Sequence, residues 1–233
     1  MNTPNYSKVK PAARGRHSSS NAHEFALRSA ERKTRVRNDL FDASKGMDRG
    51  RPKPVEAIWY LLKCLLFLTP LPVPSVVKCT ILRWFGASVG RGVVIKPRVN
   101  IHFPWKLSLG DHTWIGEEVF ILNVEPVTVG AHCCISQRAF VCTGNHDYRE
   151  PDMGYRNRPI VIGEGAWIGA QSFIAPGVTI GSEAVIKVGS IVTRNQPAQM
   201  ICAGNPCFPV KPRWQEMIFA TGETQGMEPE FTE

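Results

Sequence analysis

The chain has no apolar run long enough to cross a bilayer, no CxxC pair, no even set of cysteines and very little acid at its N-terminal end. Each absence excludes something. The longest apolar run, Ala57–Leu68 (AIWYLLKCLLFL), is twelve residues with Lys63 inside it and TPLPVPS behind it. A spanning helix needs about 20 apolar residues, and the prolines stop any extension. This segment reads as a helix packed on the body or lying in a membrane interface. Seven cysteines without CxxC spacing give no disulfide framework or zinc pattern; they point to reduced thiols packed as small hydrophobes in a cytoplasmic protein. Residues 1–37 hold no apolar stretch, so they do not read as a secretory leader.

Acid is scarce only in one place. Residues 1–37 carry nine Lys/Arg against Glu24 and Glu31, a net of +7, whereas residues 38–233 carry nineteen against eighteen, a net of +1. The basicity belongs to an arm that is too poor in apolar residues to fold alone and is expected to be disordered. Tyr6 and Phe25 are its only aromatics, too few for base stacking, so specific nucleic-acid reading is not expected. Attraction to an anionic membrane surface is the better reading, which would hold the protein peripherally at the inner face of the plasma membrane.

What the sequence does have is a beat of six. Aliphatic residues fall at Val89, Ile95, Ile101, Leu109, Ile115, Ile121, Val129, Ile135, Val141, Ile162, Ile168, Ile174, Ile180, Ile186 and Val192. Four residues after most of them stands a small or β-branched residue, such as Val99, Thr113, Ala139, Ser172 or Ala184. A period of six fits neither a helix nor an unbroken half-buried strand. It fits short strands and turns of fixed length, which is a parallel β-solenoid built from hexapeptides. Three hexapeptides make one triangular turn, so fifteen starts make about five turns. The expected organisation is a basic arm (1–37), a helical lead-in (38–88), the coil (89–197) with an inserted loop (142–161), and a C-terminal cap and tail (198–233).

The beat breaks three times. Ile101 to Leu109 and Ile121 to Val129 are eight residues each, and Val141 to Ile162 is twenty-one. All three breaks fall on the same side of the triangle, so every extra residue leaves from one corner, as insertions at the binding face of a solenoid do. The longest opens with CTGNHDY (Cys142–Tyr148). That stretch sets an Asn-His-Asp triplet, Asn145–Asp147, at the head of the longest insertion.

The repeat, TGNHDY, IGEGAWIGAQSFIAPGVTIG, GSIVT and AGNP together resemble the left-handed β-helix O-acetyltransferases. The likeness is to the maltose, galactoside and nodulation branch, and within it to colanic-acid-type polysaccharide acetyltransferases; it runs from about Asn38 to Arg213. It implies a left-handed coil, a homotrimer with sites between subunits, acetyl-CoA as co-substrate, and transfer of acetyl to a saccharide hydroxyl, free or lipid-linked. It implies His146 as general base and Asn123, Asn145 and Trp167 as acceptor-binding residues. Gly169, Ala170, Gly189, Ser190, Arg194, Lys211 and Arg213 would meet the cofactor, the cations at its phosphates. No metal is expected. The chain departs from the family pattern at Lys187-Val188, where smaller residues are usual. A metal hydratase resembling the γ-carbonic anhydrases, with His132 and His146 as ligands, and a non-catalytic trimeric scaffold with a membrane-binding arm stand as alternatives.

Overall fold

A computed structural model of the protein describes residues 35–214. These form two compact units, one joining residues 35–42 to 148–154 and the other holding residues 43–147 and 155–214. In the smaller unit a 3-10 turn, Asn38–Leu40, begins beside the Arg37–Asp39 ion pair (2.6 Å), and the Arg37 amide donates to Pro151 O (2.7 Å). The disorder expected of the arm, apart from residues 35–37, and the tail beyond Trp214 lie outside the described residues.

The larger unit is a triangular parallel coil, and each of the fifteen aliphatic positions ends or lies within a short strand. The first face stacks Ser88–Val89, Leu107–Leu109, Val127–Val129, Ile160–Ile162 and Thr179–Ile180. The second stacks Val94–Ile95, Trp114–Ile115, Cys134–Ile135, Trp167–Ile168 and Val185–Ile186, then Met200–Ala203 and, antiparallel, Phe208–Pro212. The third stacks Asn100–Ile101, Phe120–Leu122, Phe140–Cys142, Phe173–Ile174 and Ile191–Val192. Five turns are complete, and a partial sixth follows: Gln196 bridges to Ile180, and Met200–Ala203 pairs with Val185–Ile186.

Side chains decide which way each strand faces. Ile and Val of the beat point inward and, Val89 apart, are buried; the small residues four positions on fill the corners beside them. Polar members of that set are satisfied there. The Thr113 hydroxyl donates to Gly130 O (2.9 Å) and the Ser172 hydroxyl to Lys187 O (3.1 Å). The corners turn through one residue of positive φ, and most are not glycine: Arg98, His112, Glu118, His132, Arg138, Gln171, Glu183 and Gln199 lie at φ 56–60°. Such a residue costs about 1–2 kcal/mol. The conformation aims its N–H at the previous turn, as in His112 to Arg91 O (2.7 Å) and Gln171 to Gln137 O (2.9 Å), which offsets the cost.

Two helices, α1 (Lys53–Leu62, running on into a wide turn, Lys63–Phe67) and α2 (Ser75–Trp84), lie across the open edge of the first turn. Carbonyls that a preceding turn would have bonded are taken up by their side chains. Arg83 donates to Val89 O and Gly90 O, Cys79 to Val93 O, Lys78 to Ile95 O and Lys96 O, and Trp59 to Ile101 O and His102 O. At the far end the hairpin of the last two strands covers the edge, with Cys207 buried beneath it. All seven cysteines are unpaired, and burial pushes the Cys133 and Cys202 thiols up to about 11. Among the described residues no helix is long and apolar enough to cross a membrane.

Candidate functional site

The three breaks leave the coil at one edge, between the third and first faces. Their backbones are braced from turn to turn. Asn123 is fully buried; its Oδ1 accepts the amides of His102 (3.2 Å) and Phe103 (3.0 Å), and its Nδ2 donates to Phe103 O (2.5 Å). The amide group is thus spent on the first insertion and presents no face to an acceptor. Thr143 repeats the brace, its hydroxyl donating to Leu122 O (2.9 Å) and accepting the Glu125 amide (3.0 Å).

The long loop leaves as a narrow hairpin. The Arg158 amide donates to Thr143 O (3.0 Å) and the Arg156 amide to Asn145 O (2.8 Å), while the Asn145 amide donates to Asn157 Oδ1 (2.9 Å). His146 and Tyr155 complete the pairing as an antiparallel bridge, their rings 5.1 Å apart. Asn145 Oδ1 accepts the His146 amide (2.9 Å). The imidazole therefore stands outside the coil, half-buried, on a hairpin whose two arms fix its backbone.

A second edge, between the second and third faces, carries Gly169, Ala170, Gly189 and Ser190 on successive turns. Gly169 is required by the coil itself, because a Cβ would fall 2.6 Å from Ile186 O. Gly189, at φ +68°, has open space beside it. Ser190 is buried, its hydroxyl donating to Lys187 O (2.7 Å) and accepting the Gly204 amide (3.3 Å), so that side chain faces the core. Along the same edge lies a groove of about 360 Å³ lined by Arg98, Glu117, Glu118, Gln137, Arg138, Ala170 and Gln171. Glu118 is held between Arg138 (2.6 Å) and Arg98 (3.0 Å), and these hydrogen bonds keep its carboxyl below the usual range. Sequence reading missed this ladder. Its signal was an Arg-Glu-Arg run at intervals of twenty, one coil turn with its two-residue insertion.

The remaining candidates are dispersed. The Trp167 indole is half-exposed on the second face and donates to Ser136 Oγ (2.8 Å). Arg194 is exposed on the third–first edge, and Lys211 is exposed on the last strand of the second face. Arg213 is committed to the remaining edge, bonding Gly165 O (2.9 Å), Glu183 O (3.1 Å) and the Glu183 carboxylate (2.9 Å). One chain thus does not gather the three cations. Nor does it bring His146 to Gly169–Ser190, since the third face, with Phe120, Phe140 and Phe173 outermost, separates those edges. Among the described residues no three His, Cys, Asp or Glu side chains are placed to hold a metal ion. His132 stacks on His112 (5.3 Å) at the edge between the first and second faces.

Parallel coils counted in hexapeptides are the build of a class of acyl-transferring enzymes. Residues 159–194 match the family model described as bacterial transferase hexapeptide (six repeats). The chain belongs to the hexapeptide-repeat acetyltransferases: it is 39% identical over 173 residues, 74% of its own length and 94% of the other's, to WcaF of Escherichia coli (strain K12), named as an acetyltransferase of colanic acid biosynthesis. In three dimensions it is similar to a Vibrio cholerae hexapeptide-repeat acetyltransferase complexed with acetyl coenzyme A (TM-score 0.62, 25% identity, 69% of this chain and 87% of that one). It is equally similar to a maltose O-acetyltransferase of Clostridium difficile 630 (TM-score 0.62, 25% identity, 69% and 89%). The shared fold is the left-handed parallel β-helix.

Proposed function

We propose that this enzyme moves the acetyl group of acetyl-CoA to a hydroxyl of a saccharide in surface-polysaccharide assembly, with His146 as general base. The observation that carries the reading is the hairpin that holds the His146 imidazole outside the coil wall, against Tyr155. A sugar hydroxyl is a weak nucleophile until its proton is taken as it attacks. The imidazole accepts that proton while the alkoxide oxygen bonds to the thioester carbon. The C–S bond then breaks, and the imidazolium returns the proton to the CoA thiolate. Backbone N–H groups at the small-residue turns suit the developing oxyanion, since small side chains allow close approach. Asn145 Oδ1 accepts the His146 backbone amide, which steadies the main chain that carries the imidazole.

Because His146 and the Gly169–Gly189 edge sit on different edges of one triangle, the reading requires two copies at each site, as in a cyclic trimer. Gly169, Ala170 and Gly189 on one copy would then line the pantetheine path opposite the partner's hairpin. The Trp167 indole lies on the adjoining face, and Arg194 and Lys211 offer cations to the CoA phosphates. The acetyl coenzyme A complex of the V. cholerae protein and the maltose O-acetyltransferase of C. difficile support the donor and acceptor classes. The test is His146→Ala assayed for CoA release with nucleotide sugars and lipid-linked saccharides as acceptors. Turnover should fall by about 10²–10⁴-fold with an unchanged melting temperature; full turnover would overturn the assignment.

A further inference from the structure

The capping helices have two unlike sides. Inward they place Trp59, Phe67, Lys78 and Leu82 on the first turn, all buried. Outward, α1 and the wide turn that continues it present Ile58, Leu61 and Leu65, the last two 59% and 60% exposed, at helical spacing on one stripe. On α2, Val76 (77% exposed), Val77 and Trp84 (78%) are exposed within one arc of the helix. The stripes meet at one end: Ile58 and Trp84 line one groove of about 500 Å³ with Arg51, Pro52, Val55 and Phe85. Since the inner sides of these helices bond the first turn's carbonyls, this apolar surface points away from the coil's end. The shared groove and the helical spacing set these residues apart from surface hydrophobics that stand singly.

Charge selects the occupant. From Arg49 to Ser88 the sole acidic residue is Glu56, and Arg49 already holds its carboxylate through Nε (2.8 and 3.0 Å) and through Nη2. Arg51, Lys53 and Arg83 are exposed around the apolar stripes. A second copy meeting this face with its own would set those cations against their like, whereas anionic headgroups complement them. Apolar insertion combined with cations is the pairing of signals that stable interfacial binding needs. Residues 1–37 add a net of +7 to the same chain.

We propose that the outer face of α1 and α2 seats the enzyme on an anionic phospholipid surface, with Ile58, Leu61, Leu65, Val76 and Trp84 at the headgroup–acyl boundary. The inference is independent of which saccharide is acetylated. It is tested on the full-length protein by flotation with vesicles of phosphatidylcholine alone and of phosphatidylcholine mixed with phosphatidylglycerol. The wild type should partition to the mixed vesicles, and a Leu61→Asp/Leu65→Asp double variant should lose about tenfold or more of that partition. Its melting temperature and CoA release should stay unchanged. Arg51→Ala/Lys53→Ala should weaken binding and flatten its salt dependence. Absence of wild-type partition, or equal partition of the Leu61/Leu65 variant, which would put lipid binding elsewhere in the chain, overturns the proposal. So does a vesicle-free self-association lost in that variant, which would assign the face to a second copy.

Discussion

His102 is where acid should act on this fold. It lies at the first insertion with its ring against Phe103 (4.2 Å). Burial first, then the nearby Lys63 and Arg49 charges, lower its pKa from 6.5 to about 4, against a smaller opposing pull from Glu56. Between those values the unfolded chain takes up a proton that the native protein refuses. Stability is therefore intact above about pH 6.5 and falls as the pH drops to about 4, by at most about 3 kcal/mol from this group. We expect His102→Gln to show a shallower loss of urea stability between pH 7 and 4; parallel losses in the two proteins would refute it. The inward aliphatics were legible in the sequence because burial repeats at fixed spacing. Asn123 was not, because its partners, the amides of His102 and Phe103, come from the turn below, and no period encodes them.

Among the elements, the cap carries the clearest energetic consequence. Trp59 is buried and donates its indole N–H to His102 O (2.9 Å) while packing on Phe67 and Phe85. Trp59→Phe keeps most of the packing and orphans the carbonyl, so urea unfolding should show a loss of about 1–2 kcal/mol; an unchanged midpoint would mean that water reaches it. The insertions were legible as elements, since a broken count reports where chain leaves the wall. The partial sixth turn was not. Its inward position on the first face is Gln196, buried with its Nε2 donating to Arg194 O (2.9 Å), so an apolar count stops at Val192. For the same reason Arg194, Lys211 and Arg213 read as one basic group but stand on an edge, a face and another edge.

At the scale of the whole molecule, the proposed division of the site between edges makes a prediction that one chain cannot satisfy alone. Gly189 has room beside it, and neighbouring corners hold ordinary side chains at the same φ, so Gly189→Trp should fold while obstructing its edge. Neither Gly189→Trp nor His146→Ala should transfer acetyl alone. Mixed assemblies of the two should recover about a quarter of wild-type sites, the share in which both intact halves meet; no recovery would place base and edge in the same chain.

The helices over the first turn have a further consequence. Nothing in a triangular coil sets its own length, because each finished turn exposes the same row of amides and carbonyls as the one before. Left bare, the starting turn of one molecule would accept the last turn of another, and the product would be a fibre. In this protein Trp59, Lys78, Cys79 and Arg83 act as terminators, and they are the reason that a repeat without an inherent end yields a particle of fixed size.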